Sequence, residues 1–75
     1  MIRTRELKAL RIMKGYSLQE AAKMLDRTPS GYSHKEKGMT YFTDEEKIIL
    51  AEKFDMNYDQ FNRIFFDGKL KFNAS

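Results

Sequence analysis

The stretch that decides the fold runs Ser17-Leu-Gln-Glu-Ala-Ala-Lys-Met-Leu-Asp-Arg-Thr-Pro-Ser-Gly-Tyr-Ser-His-Lys-Glu-Lys-Gly38. Ser17 stands three residues before Glu20, which is the spacing of a capping box. In that motif the hydroxyl and the carboxylate each accept a hydrogen bond from a backbone N–H that the first helical turn leaves unpaired. Apolar residues then recur at helical spacing as far as Leu25. This pattern predicts a helix over residues 18–25.

A second helix is predicted directly after the first. Asp26 and Arg27 interrupt the apolar pattern, Thr28 suits an N-cap, and Pro29 suits the first helical position because its φ is already fixed. Gly38 suits a left-handed helix end, which places the second helix at residues 29–37. Two short helices joined by a turn of three to four residues form the outline of a helix-turn-helix, whose second helix commonly enters the DNA major groove.

Three further helices are predicted on either side of this stretch, over residues 2–14, 44–54 and 58–66. Each has apolar residues at a spacing of three or four, and we expect Met13 and Ile48 among the inward positions. The sequence therefore predicts an all-α, five-helix domain over residues 1–66. Residues 67–75 are predicted to form a tail, in which the charged and apolar residues alternate over 69–72 and weakly indicate a short extended segment.

Composition limits the class of protein. Seventy-five residues make one small domain that buries about 60% of its unfolded surface, so a deep substrate cavity is not expected. The chain has no cysteine and one histidine, which leaves no disulfide and predicts no metal site. No apolar run has the length of a membrane span or a signal peptide, so we predict a cytoplasmic protein. No catalytic pairing or phosphate-binding glycine loop is present, so we predict no enzyme, no cofactor and no small-molecule ligand.

Charge is unevenly distributed along the chain. Residues 1–38 hold nine Lys or Arg against four Asp or Glu, which gives +5, whereas residues 39–75 hold five against seven, which gives −2. A basic half beside a mildly acidic half is typical of a protein that lays one side on a polyanion. The charges could instead simply solvate a small domain.

The residues between Leu7 and Phe66 also carry a family pattern. Its elements are Leu10-Arg11, Gly15-Tyr16-Ser17, Glu20, Ala22, Leu25, Thr28, Tyr32-Ser33, Glu36, Gly38 and Leu50-Ala51. In order and spacing, this pattern resembles the lambda-type repressor/Cro helix-turn-helix family, also called the XRE family, in a variant similar to phage and mobile-element regulators. The resemblance implies a five-helix lambda-repressor-like domain in which residues 29–37 read DNA. It also implies a homodimer on a palindromic operator and a buried ion pair between Arg11 and Glu36.

The helical phase of the second helix separates its faces. Tyr32 is predicted to point inward, which leaves a small polar surface outside that could enter a groove about 12 Å wide. We therefore expect base contacts from Ser30, Ser33 and His34. Phosphate contacts are expected from polar and cationic residues of the same region, namely Gln19, Arg27, Thr28, Lys35 and Lys37. Lys35 could instead cover the core with its aliphatic stem.

Some residues depart from the family pattern and keep a second function open. The second helix of the domain starts with Leu18 where a glutamine is frequent, and Pro29 stands where related proteins often place a base-reading side chain. These residues and Asp26 favour an alternative, a protein-interaction module on the same scaffold. The apolar chain end suggests a dimer contact through Phe66, Leu70 and Phe72. The competing interpretation is a tail that folds back on its own domain.

Overall fold

The computed structural model describes residues 2–70 and contains five α-helices within that range. They are α1 (Thr4–Met13), α2 (Leu18–Met24), α3 (Pro29–Glu36), α4 (Asp44–Lys53) and α5 (Tyr58–Phe66). The predicted all-α, five-helix architecture is confirmed, with helix ends within two residues of the predicted ones. Residues 69 and 70 form no strand, and the rest of the predicted extended segment lies outside the described residues.

Three of the helices begin with a complete capping box. Ser17 and Glu20 cap α2 and Thr43 and Glu46 cap α4, each through reciprocal side chain-to-backbone hydrogen bonds. The sequence predicted these two. Asn57 caps α5 as predicted, and Gln60 completes the box by accepting a hydrogen bond from the Asn57 N–H at 3.0 Å. These local bonds fix where each helix begins.

One hydrophobic core joins all five helices. Its buried members come from every helix or its end and from the loop before α4: Leu7, Leu10, Ala21, Ala22, Leu25, Tyr32, Phe42, Leu50, Phe54, Ile64 and Phe65. Aromatic rings link distant segments, since Tyr16 stacks on Phe54 at 5.7 Å between ring centroids. The prediction that Met13 and Ile48 point inward is wrong, because both are mostly exposed. On α4 the inward stripe is Glu46, Leu50 and Phe54, which puts Ile48 on the opposite side.

Three helices end at an aspartate in the left-handed region. Asp26, Asp55 and Asp67 follow α2, α4 and α5 with φ of 55°, 52° and 54°. Asp tolerates this conformation better than most residues because its short polar side chain can bond locally. At Asp26 this geometry turns the chain sharply between α2 and α3. Asp26 therefore ends α2 in the left-handed conformation that a glycine adopts at many helix ends.

Candidate nucleic-acid interface

The turn between α2 and α3 sets where α3 begins. The Thr28 hydroxyl accepts a hydrogen bond from the Gly31 N–H at 3.0 Å, and Pro29 occupies the first helical position. Gly31 lies so close to this cap that an added Cβ would stand 3.1 Å from the Thr28 Oγ1. The glycine, which costs helix stability by itself, thus leaves room for the capping hydroxyl.

One side of α3 is fixed to α1 by a buried polar cluster. Arg11 donates to both carboxylate oxygens of Glu36, from Nε at 2.9 Å and from Nη2 at 3.2 Å, and from Nη1 to the Tyr16 carbonyl at 2.8 Å. The Tyr32 hydroxyl donates to the same carboxylate at 2.7 Å. Burial and this hydrogen bond raise the pKa of Tyr32 well above its usual range, so it remains a neutral donor. The structure therefore places Arg11 and Glu36 in the ion pair that the resemblance implied.

A second buried cluster joins α3 to α4 through Glu46. Its carboxylate accepts hydrogen bonds from the Thr43 N–H at 2.9 Å, the Lys35 ammonium at 3.0 Å and the Arg27 Nε at 2.8 Å. Burial alone would raise the pKa of Glu46, but the Thr43 N–H, Arg27 and Lys35 outweigh it and lower the pKa to about 2. Glu46 is thus ionised, and its carboxylate binds two cations and the N-cap N–H of α4 at the same time.

This cluster changes the predicted set of phosphate contacts. Lys35 is only 8% exposed, and its ammonium also donates to the Tyr41 carbonyl at 2.6 Å. That geometry corrects our prediction for Lys35, because a buried ammonium that is already bound to a carboxylate cannot reach a DNA phosphate. The Arg27 side chain remains 46% exposed and uses only Nε for Glu46. Arg27 can therefore still donate from its outer nitrogens.

The remaining face of α3 is polar and open. Ser30, His34 and Lys37 are exposed and Ser33 is partly exposed. His34 lines a shallow depression together with Arg27 and other residues of the turn, whereas Ser33 and Lys37 line a groove against α1. Gln19 is exposed in the first turn of α2. The structure thus brings the predicted base-contacting residues onto one accessible surface.

The described part of the tail lies against its own domain. The Asn62 side chain binds both backbone groups of Leu70, accepting from its N–H at 2.8 Å and donating to its carbonyl at 3.1 Å. Phe66 packs against Phe61, with ring centroids 5.6 Å apart, and the Lys47 ammonium lies 4.7 Å from the Phe66 centroid. Phe72, the third predicted dimer contact, lies outside the described residues.

Comparison with known protein families gives one match over most of the domain. The helix-turn-helix family model matches residues 7–61, which contain α2, the turn, α3 and α4. The chain belongs to the XRE-type helix-turn-helix family. Comparisons with curated proteins and with solved structures gave no match. Family membership confirms the resemblance that the sequence pattern indicated.

Membership of this helix-turn-helix family gives the general type of the protein, which is a DNA-binding regulator of transcription. The family is a regulatory one and not a family of enzymes. None of the helices within residues 2–70 combines the length and the apolar character that crossing a lipid bilayer requires. The cytoplasmic location predicted from the sequence stays a prediction.

Sequence reasoning missed the role of Glu46 in positioning α3. The capping box at Thr43 accounted for this carboxylate fully, so nothing suggested a second task. One indication was available, because Lys35 stands three residues after the inward-facing Tyr32 and so shares its face of α3. A lysine at such a position needs a carboxylate partner, although the sequence does not say which one.

Proposed function

We propose that this protein is a repressor or Cro-type regulator that inserts α3 into the major groove of a DNA operator. The observation that carries the proposal is the division of α3 into two sides. Tyr32, Lys35 and Glu36 are buried and bound, whereas Ser30, His34 and Lys37 are exposed. A helix held in this way presents short polar side chains to a groove without a bulky side chain in the way.

Ser30, Ser33 and His34 are proposed to contact base edges. Hydroxyl and imidazole groups can donate or accept there, and these three share the accessible face of α3. Gln19, Thr28, Arg27 and Lys37 are proposed to bind phosphates and so fix the register. In this arrangement Glu46 holds the Nε of Arg27, which leaves the outer guanidinium nitrogens available beside Thr28.

A gel-shift titration against the DNA flanking the protein's own gene, at two salt concentrations, tests the function. We expect tight binding at low salt that weakens steeply at high salt, because each neutralised phosphate releases counterions. Absence of any shift at low salt, even with random duplex, would reject the proposal and favour the protein-interaction module.

The base-reading role of His34 needs a separate measurement. Selection of bound sequences from a random duplex pool should show that His34→Ala relaxes preference at one or two operator positions. Ile48→Ala, which alters an exposed residue of α4, is the control and should leave the preference unchanged. An unchanged preference in His34→Ala would reject base reading by this residue.

We also propose that the protein acts as a homodimer on DNA, with recognition helices about 34–36 Å apart, one helical turn of the duplex. Phe66, Leu70 and Phe72 are the proposed contacts. Leu70 keeps 37% of its surface exposed although Asn62 holds its backbone. Sedimentation of the protein and of a Leu70→Ala, Phe72→Ala variant, free and bound to operator DNA, tests this. Equal masses for the two proteins would reject a tail-mediated dimer.

A further inference from the structure

The cationic side chains of the described chain divide into two groups. Those that meet a carboxylate within 4.0 Å are Arg3, Arg11, Arg27, Lys35, Lys47 and Arg63. Within residues 2–70, Arg5, Lys8 and Lys37 belong to the other group, and none of their three side chains makes a hydrogen bond or an ion pair there. Two of the five residues predicted as phosphate contacts, Arg27 and Lys35, are in the paired group. Of the cations predicted to contact phosphate, only Lys37 therefore has no ion pair within the described residues.

Three free cations meet at one groove. Arg5 and Lys8 from α1 and Lys37 from the end of α3 line a depression between these helices, whose wall also includes Ser33 and Leu18. On α1, Thr4, Lys8 and Arg11 recur at helical spacing, so one face of the helix supplies this wall. The groove thus begins at the proposed base-reading face and continues onto α1.

Close packing fixes the two sides of the groove relative to each other. At Gly38, which follows α3, an added Cβ would lie 3.4 Å from the Thr4 side chain at the start of α1. The Arg11–Glu36 ion pair joins the same two helices below the groove. Lys37 and Arg5 are therefore carried by backbone segments that are held together.

The groove also contains a carboxylate, but its charge is already compensated. Glu36 accepts two hydrogen bonds from Arg11 and one from the Tyr32 hydroxyl. The remaining acid near the start of α1, Glu6, is bound by Arg3 and Arg63. Arg5, Lys8 and Lys37 consequently leave the residues that line the groove with a net positive charge.

We infer that this groove, which we call the α1–α3 groove, is a second phosphate-binding site for the DNA backbone beside α3, carried by Arg5, Lys8 and Lys37. The inference rests on the proposed function, because it extends the same DNA surface from the helix-turn-helix onto α1. Three cations without intramolecular partners line one shallow groove that continues from exposed polar residues of α3, and such a groove suits the repeated phosphates of a nucleic-acid strand better than a single anion. The contact carries no sequence information, since every nucleotide has the same phosphate.

The test compares two double variants with equal loss of charge. Arg5→Ala/Lys8→Ala removes two cations of the α1–α3 groove, whereas Lys53→Ala/Lys69→Ala removes two exposed lysines that do not line it. Alanine favours helix and neither Arg5 nor Lys8 has a partner to lose, so the groove variant should fold, and circular dichroism verifies this. Binding to a fluorescent duplex from the flanking DNA and to a random duplex is measured by anisotropy at several salt concentrations.

For the groove variant we expect the slope of log K against log salt to fall by about 1.8, because each lost phosphate contact removes about 0.9. This corresponds to weaker binding at 0.1 M salt by up to about 60-fold, and by the same factor on both duplexes. The control variant should keep the wild-type slope. The charge-conserving variant Arg5→Lys/Lys8→Arg should also keep the wild-type slope, because phosphate contacts require the charges and not the particular side chains.

Two results would overturn the inference while leaving the proposed function intact. One is a groove variant that binds with the wild-type slope, and the other is a control variant that loses as much slope as the groove variant, which would show that only net charge matters. Failure of the wild-type protein to bind DNA in a salt-dependent manner would instead reject the proposed function itself. The first result concerns the slope of the groove variant, the second the slope of the control variant and the third the binding of the wild-type protein, so the three results are distinguishable.

Discussion

The shared carboxylate of Glu46 makes the protein sensitive to acid. Its pKa is lowered from an ordinary value of 4.5 to about 2 in the folded chain. A group with a depressed pKa stabilises the fold fully above its unfolded pKa and loses this contribution as the pH falls through the folded pKa. At about 1.4 kcal/mol per pH unit, the difference amounts to about 3 kcal/mol above pH 5 and to about 1 kcal/mol at pH 3. The loss therefore occurs between about pH 4.5 and pH 2.

Glu46→Gln isolates this contribution because the amide resembles the protonated acid. Its carbonyl oxygen can still accept from Lys35 and from the Thr43 N–H, but its NH2 group replaces the oxygen that accepts from Arg27, and the side chain has no charge at any pH. We expect urea unfolding to give a variant less stable than wild type by about 3 kcal/mol at pH 7 and by about 1 kcal/mol at pH 3. A domain of this length has about 4–11 kcal/mol of stability in total, so the variant should still fold at pH 7.

Glu45→Gln is the matched control. Glu45 is the neighbouring residue in the first turn of α4 and is exposed, and its side chain makes no hydrogen bond or salt bridge within residues 2–70. Its substitution should change stability by less than about 0.5 kcal/mol at both pH values. A Glu46→Gln deficit that stays constant between pH 7 and pH 3 would refute the reasoning. So would a deficit of equal size in the control.

Three further predictions concern how the ends and sides of α3 and α4 are held. Arg11→Met should destabilise the protein by about 3–5 kcal/mol because it leaves the buried Glu36 without its cation. Arg11→Met with Glu36→Leu should lose less, about 1–3 kcal/mol, because the buried Tyr32 hydroxyl then lacks its acceptor but no charge is left unpaired. Equal losses in denaturant unfolding would contradict this. Thr28→Ala should cost about 1 kcal/mol, which lowers the melting temperature by about 4–8 °C, and Thr28→Ser should restore it. Asp55→Gly should raise stability by about 0.5–1 kcal/mol because it relieves a left-handed φ, and Asp55→Ala should not.

The sequence predicted the helices well because their boundaries depend on local chemistry. Ser17 with Glu20 and Thr43 with Glu46 stand at a fixed spacing, and their hydrogen bonds involve residues three apart. Such contacts require no knowledge of the rest of the fold. The inward position of Tyr32 likewise follows from helical phase alone.

The partners of the charged residues could be predicted only in part. The pair of Arg11 and Glu36 came from the family resemblance, and nothing local in the sequence specifies it. A carboxylate has two oxygens and can accept about four hydrogen bonds, so a capping glutamate such as Glu46 retains capacity for cations from other helices. Whether Lys35 and Arg27 use that capacity depends on the packing of α3 against α4. The positions of the free cations on α1 depend on the same packing.

These pairs have a consequence for how α3 can serve as a recognition helix. Among its eight residues, Tyr32 is the only large apolar one, so burial of apolar surface holds the helix at a single point. The Arg11–Glu36 pair on one side and the Lys35–Glu46 pair on the other supply two further points, to α1 and to α4. Buried pairs add little net stability compared with apolar residues, but a rotation of α3 would strand a buried charge at a cost of about 3–5 kcal/mol. The pairs thus define the orientation of a helix that is too polar to be oriented by its core contacts, and a fixed orientation is what reading base edges requires.

The Arg11→Met/Glu36→Leu protein tests this role of the pairs. It should remain folded yet discriminate less well between operator and random duplex. Undiminished discrimination would show that Tyr32 alone is sufficient to orient α3.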